Sequence, residues 1–140
     1  MFLLDTNVIS ELRKVSSGRA NENVCHWLSQ IHSAQLYLSV MTIFELEHGI
    51  LRVERKDKIQ GKLLRQWLDG YVLPFFANKI LPIDLPVVRQ CAKLHVPDPK
   101  PASDTLIAAT ALVHGFTVVT HNVKDFVNTG AAIIDPWLPL

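Results

Sequence analysis

Five short apolar runs alternate along the chain with longer stretches of helical periodicity, and that alternation narrows the possible folds more than any other feature. The first run, Phe2-Leu3-Leu4, is continuously apolar, as a strand buried on both faces of a parallel sheet requires. Leu36 to Val40, Ile80 to Ile83, Thr117 to Thr120 and Ala132 to Ile134 read as further strands. Between them, Val24, Trp27, Leu28 and Ile31 recur at the i, i+3, i+4, i+7 spacing of an amphipathic helix. Ile43, Leu46, Ile50 and Val53 repeat the pattern, as do Leu63, Leu64, Trp67, Leu68 and Tyr71, and then Val87, Val88, Cys91 and Leu94. Pro86 suits a first helical turn, and Gly115 suits a helix stop just after His114. Strands alternating with helices predict an α/β fold: a parallel central sheet of about five strands, with helices on both faces.

The 140 residues suit one compact domain spanning the whole chain. The stiff stretch Pro97-Asp98-Pro99-Lys100-Pro101 is too short to separate two. Apolar residues make up 49% of the sequence, enough for a sizeable core and against disorder. Cys25 and Cys91 stand outside any C-x-x-C spacing and read as buried small hydrophobes. No run approaches the ~18 apolar residues that span a bilayer. Met1 to Asp5 lacks the basic segment and long apolar stretch of a signal peptide, so a cytoplasmic location and no membrane partner are expected. The net charge of +1 lacks the basic surplus common in nucleic-acid binders. Bound divalent ions would add positive charge locally.

In open parallel sheets, ligands bind beyond the carboxyl ends of the strands. Asp5 stands there after the first strand, with Thr6 and Asn7 completing the turn into a helix. All three are also good N-caps, so this position alone suits a cap and a catalyst equally. Glu45 lies in the first turns after the second strand, one position before the core residue Leu46. It therefore sits about 100° round the helix, at the boundary of the buried face, where a carboxylate can point into a cleft. Its plainer reading is favourable charge near a helix N-terminus. Glu47 projects closer to solvent and reads as a surface charge.

Asp104 follows the proline-rich loop and opens a helix from Thr105 to His114, sharing a capping reading with Ser103. That helix carries Ala108, Ala109 and Ala111 and should pack closely, so an aspartate at its mouth needs a cation or backbone N–H groups to compensate it. Asp125 comes just past another strand, in Thr120-His121-Asn122-Val123-Lys124-Asp125-Phe126, where an ordinary loop residue beside Lys124 is the plainer reading. Several acids converging on one sheet edge need a common explanation, because like charges held close raise one another's pKa. Hard divalent cations with oxygen ligands, Mg²⁺ or Mn²⁺, relieve that repulsion. They also suit phosphodiester cleavage, activating water and neutralising charge on the attacking and leaving oxygens. Thr6, Asn7, Thr120 and Asn122 are short polar groups placed to orient the carboxylates or bound waters.

Four blocks carry a family resemblance. They are Phe2 to Val8 (FLLDTNV), Ser39 to Ile50 (SVMTIFELEHGI), Ser103 to Ala111 (SDTLIAATA) and Val119 to Phe126 (VTHNVKDF). In this order they resemble the PIN-domain toxins of the VapC/FitB type, and the likeness runs from the first residues to near the end. The resemblance implies a PIN fold and an endoribonuclease dependent on Mg²⁺ or Mn²⁺. It also implies a homodimer held inactive by a cognate antitoxin, through which alone promoter DNA is bound. The family's acidic positions fall on Asp5, Glu45, Asp104 and Asp125, its polar position after the fourth strand on Thr120, and the following asparagine on Asn122. Family members vary in how directly the fourth acid touches metal.

Other features carry less. The six histidines show no zinc-like spacing, although His121 sits inside the site loop where substrate contact is conceivable. Neither phosphate-binding glycine motif occurs, and no serine stands in a nucleophile elbow. Arg52 to Lys58 reads as a solvated turn between helices, with a phosphate-guiding rim as the sharper alternative. Trp27 and Trp67 read as core or dimer contacts, and Trp137 as an anchor for the tail from Pro136 to Leu140. Two other functions compete: a PIN-like module that only binds, which the intact acids oppose, and a phosphatase. Against the phosphatase, the second aspartate two positions after Asp5 is missing.

Overall fold

A computed structural model describes residues 1–139, so the final Leu140 of the apolar tail lies outside the described residues. Strand β1 (Phe2–Leu4) is central. Its neighbours are β2 (Leu36–Ser39) and β4 (Thr117–Val119), with β3 (Ile80–Leu81) and β5 (Ile133–Ile134) at the edges. The order is β3-β2-β1-β4-β5 and every pairing is parallel. Leu3 and Leu4 are both fully buried, yet they serve opposite faces of the sheet. Leu4 packs with Val8, Trp27, Leu38 and Ile50, and Leu3 packs with Ile107, Ala108, Val118 and Phe126. That two-sided burial is why the strand has no polar alternation.

The expected strands are present but shorter at their ends. Ser39 ends β2 because its hydroxyl accepts the Met41 N–H (3.0 Å) and caps helix α3 (Val40–Lys56), so Val40 is helical. Thr120 follows β4, its N–H still donating to the Ile134 carbonyl (2.9 Å) while its hydroxyl donates to Asp5 (2.8 Å). The remaining helices are α1 (Thr6–Leu12), α2 (Glu22–Ser29), α4 (Lys58–Trp67), α5 (Leu73–Phe75), α6 (Leu85–Leu94) and α7 (Ala102–His114). A wider π turn, Leu68–Val72, joins α4 to α5 and buries Leu68 and Val72. Gly115 ends α7 in the left-handed conformation (φ 70°), as a C-terminal glycine allows.

Some stripe positions face outward: Leu63, Tyr71 and Val88 are exposed, because Leu68 on one stripe and Val87 and Cys91 on another already fill the contact with the core. Trp27 is core, edge-on to Phe2 at 5.2 Å. Trp137 packs on the core cluster while its carbonyl accepts from Asn23 Nδ2 (2.7 Å), which fixes the tail. Both cysteines are free; Cys91 is buried and Cys25 half-buried. Among the described residues no helix is long and apolar enough to cross a membrane.

Candidate active site

Asp5 stands at the carboxyl end of the central strand, 6% exposed. It caps α1 with one carboxylate oxygen, which leaves the other to meet Thr120 and Asn7. Its Oδ1 accepts the Thr6 N–H (2.8 Å), and its Oδ2 accepts from the Thr120 hydroxyl (2.8 Å) and from Asn7 Nδ2 (3.3 Å). Asn7 also donates to Thr120 Oγ1 (3.3 Å), tying the first loop to the fourth. Burial pushes the Asp5 carboxyl up, the Thr120 and Thr6 hydrogen bonds pull it down, and the charge of Asp125 adds to the rise; the balance is upward.

Glu45, half-buried on α3, is held from α1: the Thr6 hydroxyl donates to its Oε1 at 2.7 Å. Its neighbour Glu47 turns to Arg65 (2.7 Å), as a surface charge should. Asp104 differs from expectation in its local role. Helix α7 begins at Ala102, with Pro101 at the cap position and no side chain capping, so neither Ser103 nor Asp104 is an N-cap. The Pro101 carbonyl accepts the Thr105 N–H (3.2 Å), which starts the helix early and leaves the Asp104 carboxylate inside the first turn. Burial, followed by the charges of Asp125, Asp5 and Glu45, pushes Asp104 up to about 6. Asp125 is exposed in a single 3₁₀ turn (Val123–Asp125) and lines a cleft together with Asp104.

The four acids therefore share one electrostatic environment at the carboxyl edge of the sheet. Of the four supporting polar residues, Thr6, Asn7 and Thr120 act through their side chains. Asn122 contributes its backbone N–H, donated to Thr120 Oγ1 at 3.0 Å.

The PIN domain family model matches residues 2–131. The chain belongs to the PIN-domain family. Within it, this PIN domain is of the VapC/FitB-like toxin type. It is 39% identical to Toxin FitB of Neisseria gonorrhoeae, over 98% of this chain and 99% of the relative. It is 38% identical to VapC ribonuclease Y4jK of Sinorhizobium fredii, over 99% of both. Among solved structures, FitAcB from Neisseria gonorrhoeae superposes with a TM-score of 0.87 at 35% identity, covering 98% of this chain and 99% of that one. FitAB bound to an IR36 DNA fragment gives 0.86 at 34%, covering 100% and 98%.

A divalent metal fits this PIN domain by the chemistry of its donors: carboxylate oxygens gathered so that Asp104 feels the charge of the other three, with no hydrogen bond to offset its rise. Among the described residues no three of these side chains close into a ready cage. Such an open set suits Mg²⁺ or Mn²⁺, which bind through one or two carboxylates and keep several waters, and does not suit a four-ligand zinc site.

Sequence reasoning passed over two things. Glu11 is a buried acid with a structural task. Burial pushes its carboxyl up, but the Asn21 N–H (2.7 Å) and Lys14 (3.1 Å) outweigh that and hold it below the usual range. The cleft beside Asp104 and Asp125, with Lys100 and Lys124 on it, was also missed because its walls are far apart in sequence. His121 stacks on Trp137 (4.4 Å between ring centroids), with Nδ1 3.4 Å from Asp135. The stretch from Arg52 to Lys58 is not a turn: Arg52 to Lys56 end α3, Lys58 begins α4 and only Asp57 stands between. Its basic side chains are solvated, and Arg52 to Lys56 lie roughly 10–16 Å farther along α3 than Glu45.

Proposed function

We propose that this protein is an endoribonuclease dependent on Mg²⁺ or Mn²⁺, and the toxin of a toxin–antitoxin pair. The observation that carries the reading is the gathering of Asp5, Glu45, Asp104 and Asp125 at one sheet edge, where burial, and then the charges of the other three acids, lift Asp104 to about 6. Relatives named as a toxin and as a VapC ribonuclease over nearly their full lengths support the choice of RNA. Asp5, Glu45 and Asp104 would hold the metal, one or two of them directly and the rest through its waters, with Asp125 beside them directly or through water. When bound, the cation supplies charge neutralisation and water activation for phosphodiester hydrolysis. Thr120, Asn7 and Thr6 fix the Asp5 carboxylate, and Thr6 also fixes Glu45.

The partner is a small DNA-binding antitoxin, through which promoter DNA is reached, and the active form is a cytoplasmic homodimer. An apolar groove of about 360 Å³, lined by Ile9, Leu28, Trp67, Tyr71 and Phe75 among others, is the surface we assign to an antitoxin segment. Solved relatives that carry both FitA and FitB in their names support a two-component assembly.

The test is cleavage of pooled cellular RNA by purified, partner-free protein with Mg²⁺, with Mn²⁺ and with EDTA. Asp5→Ala and Asp104→Asn should each lose at least ~100-fold in rate. Equal activity in EDTA would sink the metal mechanism, and identical fragments from wild type and variants would indicate a contaminant.

A further inference from the structure

The cleft on the α7 side of the acids has features that phosphodiester chemistry alone does not call for. It encloses about 210 Å³ between the loop before α7 and the turn after β4. Lys100, Pro101, Asp104 and Thr105 line it from one segment, and Lys124, Asp125, Asn128 and Thr129 from the other. The cleft is smaller than the roughly 300–1,000 Å³ of clefts that take drug-sized ligands. That size limits it to a group no larger than one nucleotide and excludes a longer stretch.

Its walls are preformed. Lys100 is fixed twice: its N–H donates to His95 Nδ1 (3.1 Å), and its ammonium donates to the Leu94 carbonyl (2.7 Å). His95 in turn meets the Thr105 hydroxyl (3.1 Å) through Nε2, so the loop is bound to α7. On the other side, Phe126 is fully buried, and its carbonyl accepts both the N–H (3.1 Å) and the hydroxyl (2.6 Å) of Thr129. Besides Asp125, two exposed polar side chains line the cleft: Lys124, in no ion pair among the described residues, and Asn128. A cation and an amide beside a carboxylate centre are what a nucleotide next to a scissile phosphate would meet. The lysine suits phosphate, without reading sequence, and the amide can donate and accept at a base edge. No aromatic ring lines the cleft, so stacking plays no part in it.

We propose that this cleft is the subsite for one nucleotide flanking the scissile bond, with Lys124 on its phosphate and Asn128 reading its base. The proposal rests on the ribonuclease reading, and the two can fail separately. Both residues are exposed, so their variants should fold. The full chain, isotope-labelled and with Mg²⁺ present, would be titrated with adenosine and uridine 5′-monophosphates, which contain no phosphodiester to cleave. Saturable shifts are expected at the Lys124, Asn128 and Thr129 amides, and Lys124→Glu should abolish them. In RNA cleavage, Lys124→Ala should raise KM about 10-fold, with the loss falling on KM and not on kcat. Asn128→Ala should alter which sequences are cut. Metal-dependent cleavage with no shifts at these amides, and with wild-type KM and cutting pattern in both variants, overturns the subsite and leaves the nuclease standing. Shifts at these amides, lost in Lys124→Glu, from a protein that cleaves no RNA would overturn the nuclease reading and keep a nucleotide site.

Discussion

Thr6 serves two acids at once, its N–H holding Asp5 and its hydroxyl holding Glu45, although the two carboxylates lie on different elements. Thr6→Val keeps the shape and the backbone bond while freeing Glu45. We expect Mn²⁺ affinity to fall ~10-fold or more, as for other residues that orient metal ligands, with little change in the urea midpoint. A calorimetric Mn²⁺ titration checks it; unchanged affinity would mean that Glu45 needs no support. Asp104 bears on stability. Its folded value of about 6 lies above the ordinary 3.8, so between those pH values the folded chain holds more protons than the unfolded one. The contribution of Asp104 to the stability of the metal-free protein therefore falls as pH rises from about 4 to about 6, and its loss is complete above that range. Asp104→Asn should be more stable than wild type at pH 7.5 in EDTA and lose that advantage near pH 4. Denaturant titrations at the two pH values would show it, and parallel pH profiles would refute it. In the variant, Asp5, also shifted upward, still contributes in the same sense, and Glu11, held below the usual range, in the opposite one.

At the scale of elements, the crossing of α3 and α4 depends on one missing side chain. A Cβ at Gly61 would stand 2.6 Å from Glu54 Cα and 2.9 Å from its backbone nitrogen, so backbone and not a flexible tip would have to move. Arg65 fastens the same crossing, reaching Glu47 at 2.7 Å and Glu54 at 3.4 Å, but such half-exposed pairs contribute little by comparison. Gly61→Ala should destabilise the fold by about 1–3 kcal/mol, the usual range for overpacking, while Arg65→Ala has a smaller effect. Equilibrium unfolding of both variants ranks them; a neutral Gly61→Ala would mean that the helices slide apart without strain. Helix α7 shows how an element is set by its approach: Pro101 starts the helix three residues before Thr105 would have, and that offset frees Asp104 from capping.

Over the whole molecule, two surfaces lie apart in kind: an acidic edge with a polar cleft, and an apolar groove among α1, α2, α4 and α5. The groove leaves Tyr71 68% exposed and Phe75 44% exposed, which gives the proposed antitoxin segment an apolar seat. Tyr71→Asp should break co-purification with the product of an adjacent small reading frame and leave RNA cleavage by the isolated protein intact. Pull-down and cleavage assays on one preparation check both halves. A complex that survives the variant would move the antitoxin to another surface.

The sequence by itself determined the layer order and the acids' places on it. A doubly buried strand must be continuously apolar, so Phe2-Leu3-Leu4 announced a parallel sheet, and Asp5, Glu45, Asp104 and Asp125 followed strand ends or helix starts that hydrophobic periodicity reveals. Where strands and helices stop was less legible. Ser39 and Pro101 set two of those limits through hydrogen bonds to the helix turns that follow them, and periodicity does not register such bonds. Only the tertiary structure decided what touches what. The Thr6–Glu45 and Thr120–Asp5 bonds span 39 and 115 positions, and the His95–Lys100–Thr105 ties build a cleft wall from a loop that composition showed only as stiff. Local pattern fixes which way a side chain faces, but the distance between two side chains depends on how the whole chain packs.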